Sequence, residues 1–235
     1  MDGPSGSGKS SVSRGVARAL GLRYLDTGAM YRAMTWWMLQ QGVDVADAAA
    51  VAARSGEPVI VSGTDPDGPA IRVDGADVAA PIREAQVTGA VSAVAAVPEV
   101  RVRLVALQRE IIGAGGIVVE GRDIGTVVWP QAAVKIYLTA SAEARALRRS
   151  AELSGTTAEA QQAAMARRDT LDSTRKTDPL SMADGAVELD TTPLTLEEVI
   201  DAVLSVVAER RSSGDESEGR ADEPRSGRDR VNERA

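Results

Sequence analysis

Cysteine and histidine are both missing from this chain of 235 residues. Without cysteine there is no disulfide framework and no thiolate metal site, and without histidine the commonest metal ligand is gone. Together the two absences remove Cys–His and Ser–His nucleophile pairs. Asparagine occurs once, as Asn232, so the guanine-reading Asn-Lys-x-Asp motif of GTPases has no place in the chain. Aromatic residues are few, namely Tyr24, Tyr31, Trp36, Trp37, Trp129 and Tyr137, which argues against a base-stacking platform for a nucleic-acid polymer. A net charge of -7 and a pI near 4.9 argue the same way, because such binders carry a basic footprint. No run of eighteen apolar residues exists, so no membrane span is expected, and the N-terminus does not read as a leader. The expected location is the cytoplasm.

What is present begins with the first ten residues, MDGPSGSGKS. From Gly3 they fit the phosphate-binding loop G-x-x-x-x-G-K-[ST], with Gly3, Gly8, Lys9 and Ser10 at the fixed positions. Across Gly3, Pro4, Ser5, Gly6, Ser7, Gly8, Lys9, Ser10 and Ser11, small residues let backbone N–H groups curl around a phosphate. Lys9 is placed to reach the β and γ oxygens and the Ser10 hydroxyl to ligate Mg²⁺. A helix from about Gly8 adds its positive end to the same anion. Such a loop follows a buried parallel strand, yet only Met1 and Asp2 precede Gly3. That predicts a truncated or misassigned start, or a sheet without its central strand and of lower stability.

With 43% apolar residues the chain can bury a full core. Helical spacing of Val12, Val16, Ala19 and Leu20, a strand at Arg23 to Leu25, and a helix from Ala29 to Gln40 repeat a β-turn-α pattern. Between Pro58 and Val78 the period changes to alternation, broken at Asp65-Pro66-Asp67-Gly68 and at Asp74-Gly75, which predicts a small antiparallel insertion. Helices follow over 83–96 and 98–113. Buried parallel strands are expected at Ile117-Val118-Val119 and from Ala133 to Leu138. Two further helices, 141–153 and 158–171, flank a hinge at Ser154 to Thr157. A last strand, Ala186 to Asp190, precedes a helix that opens with a capping box at Thr195 and runs to about Arg210. From Ser212 the composition turns to Ser, Gly, Glu, Asp and Arg, which predicts a disordered charged tail.

Three clusters carry chemistry besides the loop. Asp26-Thr27-Gly28-Ala29-Met30-Tyr31-Arg32 places a hydroxyl and a guanidinium at a helix N-terminus, suited to a second, smaller phosphate; an ordinary cap with a surface arginine is the alternative. Glu120-Gly121-Arg122-Asp123-Ile124-Gly125 lies at the carboxyl end of a buried strand, where α/β sheets bind ligands. There Arg122 can reach an acceptor phosphate, and Asp123 can orient a Mg²⁺-bound water or a neighbouring arginine. A salt bridge between the two competes, although adjacent side chains on a strand end point apart. The third cluster, Arg145, Arg148 and Arg149 followed by Arg167, Arg168, Asp169, Asp172 and Arg175, suits a lid over a triphosphate; a solvated helix face is the alternative.

GPSGSGKS, DTGAMYR, the turn-rich insertion, SAVAAVPEVR, GRDIGTVV and RRDTLDSTRKTDPL, in this order, resemble the bacterial cytidylate kinases from about Asp2 to Arg210. The resemblance implies an α/β P-loop three-layer fold with a parallel central sheet over 1–210, an acceptor-binding insertion over about 28–95, a short lid over about 148–175, and a disordered tail over 211–235. It implies ATP as phosphoryl donor, Mg²⁺, and CMP or dCMP as acceptor, in a monomer without nucleic-acid or membrane partners. By the same resemblance Thr27, Arg32, Ser92, Arg101, Arg122, Arg168, Asp172 and Arg175 bind the acceptor, with Ser92 near cytosine or sugar, Arg101 near cytosine and Asp172 near the ribose. Lys9, Arg122, Asp123 and Arg175 carry the catalytic roles. Glu120 departs from the aspartate of some relatives. An acceptor phosphate is already ionised at neutral pH, so in-line transfer needs no general base, in keeping with a chain without histidine. Competing expectations are a P-loop kinase for another metabolite and a regulator that binds nucleotide without turnover.

Overall fold

The computed structural model describes residues 1–152 and 157–219. Its elements run in the order α1 (Lys9–Leu20), β1 (Arg23–Asp26), α2 (Thr27–Gln40), α3 (Ala48–Arg54), β2 (Ile60–Ser62), β3 (Ile71–Val73), β4 (Ala76–Asp77), α4 (Ala85–Ala95), α5 (Pro98–Ile112), β5 (Ile117–Glu120), β6 (Ile136–Thr139), α6 (Ala142–Glu152), α7 (Ala158–Thr174), β7 (Val187–Asp190) and α8 (Leu196–Gly219). β1 pairs with β5, and β6 with β7, both in parallel.

Met1 and Asp2 join these two pairs. The Met1 amine donates to the Val119 carbonyl at 2.8 Å, and Gly121 N donates back to the Met1 carbonyl at 3.0 Å. On the other side Asp2 N donates to Ile136 O, and Leu138 N to Asp2 O, each at 2.8 Å. The expectation of a sheet lacking its central strand is therefore corrected: two residues hold that place, because a parallel partner on each side satisfies their backbone groups. The buried Asp2 carboxylate also accepts from Ile124 N and Gly125 N, each at 2.8 Å. It thereby fixes a π-helical turn, Ile124–Val128, just after Arg122 and Asp123. With the central place filled, the observation that favoured a turnover-deficient regulator no longer stands.

Helices cover both faces of the sheet. On one, α1 and α8 enclose Val12, Val16, Ile136, Leu138, Val199 and Val203. On the other, a larger core gathers Met30, Met34 and Met38 of α2 with Val100 and Leu104 of α5 and the inward residues Ile71 and Val73 of β3. Burying each such side chain contributes roughly 1.5–3 kcal/mol. The insertion is the antiparallel sheet β2-β3-β4. Its β3–β4 turn has Asp74 at φ 51° and Gly75 at φ 84°, the left-handed pair that a two-residue hairpin requires.

One expectation shifts. α8 continues past Arg210 to Gly219 rather than giving way to a tail at 211. Arginine and glutamate are good helix formers, and Ser212 Oγ donates to the Ala208 carbonyl at 3.1 Å within the helix. The remaining tail, 220–235, lies outside the described residues, as do Ser154, Gly155 and Thr156 of the expected hinge.

Candidate active site

The carboxyl ends of the strands open into a cleft of about 520 Å³. Its floor is the loop between Asp2 and α1. Gly3 has φ 144° and lies so close to β6 that a Cβ would sit 2.1 Å from Leu138 O. Gly6 and Gly8 also take positive φ, 76° and 88°. The loop is tied from three sides. Ser7 Oγ donates to the Pro4 carbonyl at 3.1 Å, Ser5 N to Asp169 Oδ1 at 3.0 Å, and Arg145 Nη1 to the Ser5 carbonyl at 2.9 Å. Arg145 also pairs with Asp169. Arg148 reaches over the loop from α6 to donate to the Thr191 hydroxyl and carbonyl at 2.8 and 2.6 Å.

Lys9 bends back to donate to the Pro4 carbonyl at 2.7 Å. Burial, with Arg122 nearby, pushes its ammonium down from 10.5 to about 7. Ser10 is exposed at the start of α1. Beside them Glu120 is buried at the end of β5, and burial pushes its carboxyl up.

The far half of the cleft is a lattice of carboxylates and guanidiniums. Asp26 caps α2 by accepting from Ala29 N at 2.8 Å and holds Arg32 at 3.0 Å. Thr27 Oγ1 donates to the Glu120 carbonyl at 2.7 Å. Ser92 of α4 donates to Asp172 Oδ1 at 2.9 Å, and the other Asp172 oxygen pairs with Arg122 Nε at 3.0 Å. Arg122 also donates to the Gly3 carbonyl at 2.7 Å, linking the two halves. Arg101, 2% exposed, pairs with Asp123 and with Asp178 at 2.6 Å and lies over the Tyr31 ring at 5.7 Å. Arg175 approaches Asp123 at 3.4 Å. Arg122 and Asp123 therefore point to different partners rather than to each other.

The lattice holds more positive charge than its carboxylates settle. Burial and then Arg122 lower Arg168 to about 9; burial and then Arg101 lower Arg175. Arg32 Nε, Arg101 Nη1 and Arg168 Nε are buried without a hydrogen-bond partner among the described residues. A doubly charged anion placed among them would give these nitrogens acceptors and oppose the lowering of Arg168 and Arg175.

The sequence-predicted residues Ser5 to Ser11, Thr27, Arg32, Ser92, Arg101, Arg122, Asp123, Arg168, Asp172 and Arg175 all line this one cleft. Gly3 and Pro4 do not: they shape the loop from behind, and their carbonyls receive Arg122 and Lys9. The cleft also has lining that the sequence reading did not single out, including Arg83 and Thr88 from the insertion side and Leu194, Leu196 and Val199 beside the loop. The last group follows β7, so the rule that ligands sit at carboxyl strand ends could have found it.

A parallel sheet, a phosphate loop opening a helix, and a second basic cavity across the strand ends define a P-loop phosphotransferase with donor and acceptor halves. The family model described as cytidylate kinase matches residues 1–209. The chain is 61% identical to the cytidylate kinase of Streptomyces coelicolor, over 90% of this chain and 93% of the relative. It is 59% identical to that of Streptomyces avermitilis, over 91% and 93%, and 58% to that of Nocardia farcinica, over 91% and 94%. The chain belongs to the cytidylate kinase family.

Proposed function

We propose that the chain transfers the γ-phosphoryl group of ATP to CMP or dCMP, giving ADP and CDP or dCDP. The observation that supports this most directly is the set of buried guanidiniums with unpaired nitrogens at Arg32, Arg101 and Arg168, the last lowered to about 9, beside Arg122, which reaches the phosphate loop at the Gly3 carbonyl. In this reading residues Gly3 to Ser11 form the ATP loop, and Lys9 bridges its outer phosphates. Thr27, Arg32, Arg122 and Arg168 take the acceptor phosphate, Ser92 and Arg101 face the base, and Asp172 faces the sugar. Arg175, steadied by Asp123, neutralises charge on the group in flight. These residues hold two phosphates in line and exclude water, and the transfer itself requires no proton acceptor.

Mg²⁺ fits the residues present. Among the described residues no cluster of three or more carboxylates or other ligating side chains could hold a metal alone, and Mg²⁺ is ordinarily bound through one or two protein oxygens plus substrate phosphates. Ser10 would supply its hydroxyl to hold the ion, with Glu120 behind it, and the ion would contribute charge neutralisation at the triphosphate. The catalytic unit in this reading is a cytoplasmic monomer, with the insertion receiving the acceptor and α6 and α7 acting as lid. Among the described residues no helix is long and apolar enough to cross a membrane.

A coupled assay of ADP production with CMP, dCMP, UMP, AMP and GMP tests the proposal. CMP and dCMP should lead the panel. Equal or better turnover of UMP or AMP would overturn the cytidine assignment, and silence on every nucleotide would move the acceptor to another metabolite.

A further inference from the structure

Tyr24 belongs to none of the motifs above, yet it is 2% exposed and its only polar atom is spent on the site. Its hydroxyl donates to Glu120 Oε1. Register explains the contact. Asp26 lies opposite Glu120 in the parallel pair β1–β5, and Tyr24, two positions earlier, points to the same side of the sheet with a ring long enough for the diagonal. Burial holds the phenol protonated, so at this bond Tyr24 donates and the carboxylate accepts.

Glu120 itself is unusual in this cleft. It is 3% exposed and takes part in none of the salt bridges among the described residues, although arginines abound nearby. Its carboxylate accepts a hydrogen bond from Tyr24, and Ser10 and Lys9 line the cleft with it, close enough to act on its charge. Its backbone carbonyl meanwhile holds Thr27. A buried carboxylate kept without a guanidinium, one oxygen pinned by a phenol, leaves its remaining capacity for the hydroxyl of Ser10. A serine that donates its proton to a carboxylate turns its lone pairs outward, as a cation ligand must.

We propose that Tyr24 is a positioning residue of the phosphoryl-transfer site: its hydroxyl fixes Glu120, which orients the Ser10 hydroxyl toward the divalent cation carried by ATP. The inference rests on the reading that Ser10 ligates that cation. A purely structural tyrosine would support the sheet without affecting how the cation contributes to nucleotide binding.

Calorimetric ATP affinities, measured in excess Mg²⁺ and in EDTA, separate the two for wild type, Tyr24→Phe, Glu120→Gln and the double variant. The expected result is that Tyr24→Phe leaves the EDTA affinity unchanged but cuts the Mg²⁺-dependent gain about tenfold, the usual scale for losing an outer-sphere partner. The double variant should lose little more than Glu120→Gln alone, since both act through one carboxylate. Full retention of the Mg²⁺ gain by Tyr24→Phe, with loss in Glu120→Gln, would overturn the role of Tyr24 while sparing the cation reading. Fully additive losses would also overturn it. A wild-type chain without any Mg²⁺-dependent gain would overturn the cation reading and this inference together.

Discussion

Replacing Asp123 by asparagine should cost this protein both stability and acceptor affinity. The carboxylate bridges Arg101 and Arg175, and all three side chains are 6% exposed or less. Burial raises the Asp123 pKa even though both arginines oppose the shift, so desolvation outweighs attraction and the ion set is not itself a source of stability. Removing the charge is a different matter. Two guanidiniums that already repel each other would keep the Asp178 carboxylate on Arg101, its backbone carbonyl on Arg175 and the weaker pull of Asp172 on Arg175, and an amide NH₂ would face one of them. Breaking a buried pair from one side costs roughly 3–5 kcal/mol. Water in the adjoining cleft screens part of this, which favours about 3 kcal/mol and, for a chain of this size, a fall in Tm of about 6–12 °C. Because Arg175 and Arg101 then lose their anchor, kcat/KM for CMP should fall about 10- to 100-fold while KM for ATP stays within about twofold. Differential scanning calorimetry and steady-state kinetics read the two arms. A Tm unchanged within about 1 °C, or ATP and CMP affinities falling together, would refute the reasoning.

Further outcomes follow from the loop. With Lys9 lowered from 10.5 to about 7 by burial, the free protein carries it mostly neutral above pH 7. A triphosphate restores the charge, so ATP binding near pH 8 should take up protons, and calorimetry in buffers of different ionisation heat should show it; proton release would contradict the assignment. The same lowered pKa means that charged Lys9 costs stability below pH 7 and that this cost is relieved as pH rises from about 7 toward 10.5. Gly3→Ala should fail to fold at 37 °C, or unfold far earlier than wild type, because its Cβ would meet Leu138 O at 2.1 Å with φ at 144°. A normal melting curve would mean the loop does not lie against β6 in this way.

Local chemistry carried much of this architecture in plain sight. The glycine pattern from Gly3 to Gly8 marked a phosphate loop because only glycine tolerates those φ values, and Asp74-Gly75 marked a hairpin for the same reason. Helix periods at Val100 and Leu104 matched the buried face of α5. The central strand was invisible because Met1 and Asp2 are too short to show a period; only their partners, Val119 and Ile136, define them. The pairing inside the cleft was equally hidden. Arg101 meets Asp178 across 77 positions and Ser92 meets Asp172 across 80, and no spacing rule reaches that far. Tyr24 looked like an ordinary strand aromatic because its role lies in the single contact to Glu120 on the neighbouring strand. α8 outran its expected end because composition describes the average of a segment, whereas helix propensity acts residue by residue.

The central claim is that one cleft holds donor and acceptor phosphates at once, on either side of Arg122. A bisubstrate ligand joining cytidine and adenosine through five phosphates tests it most directly. The account predicts one equivalent bound per chain, with affinity about 10²- to 10⁴-fold above that of ATP or CMP alone. Two equivalents per chain, or an affinity no better than that of ATP, would contradict it.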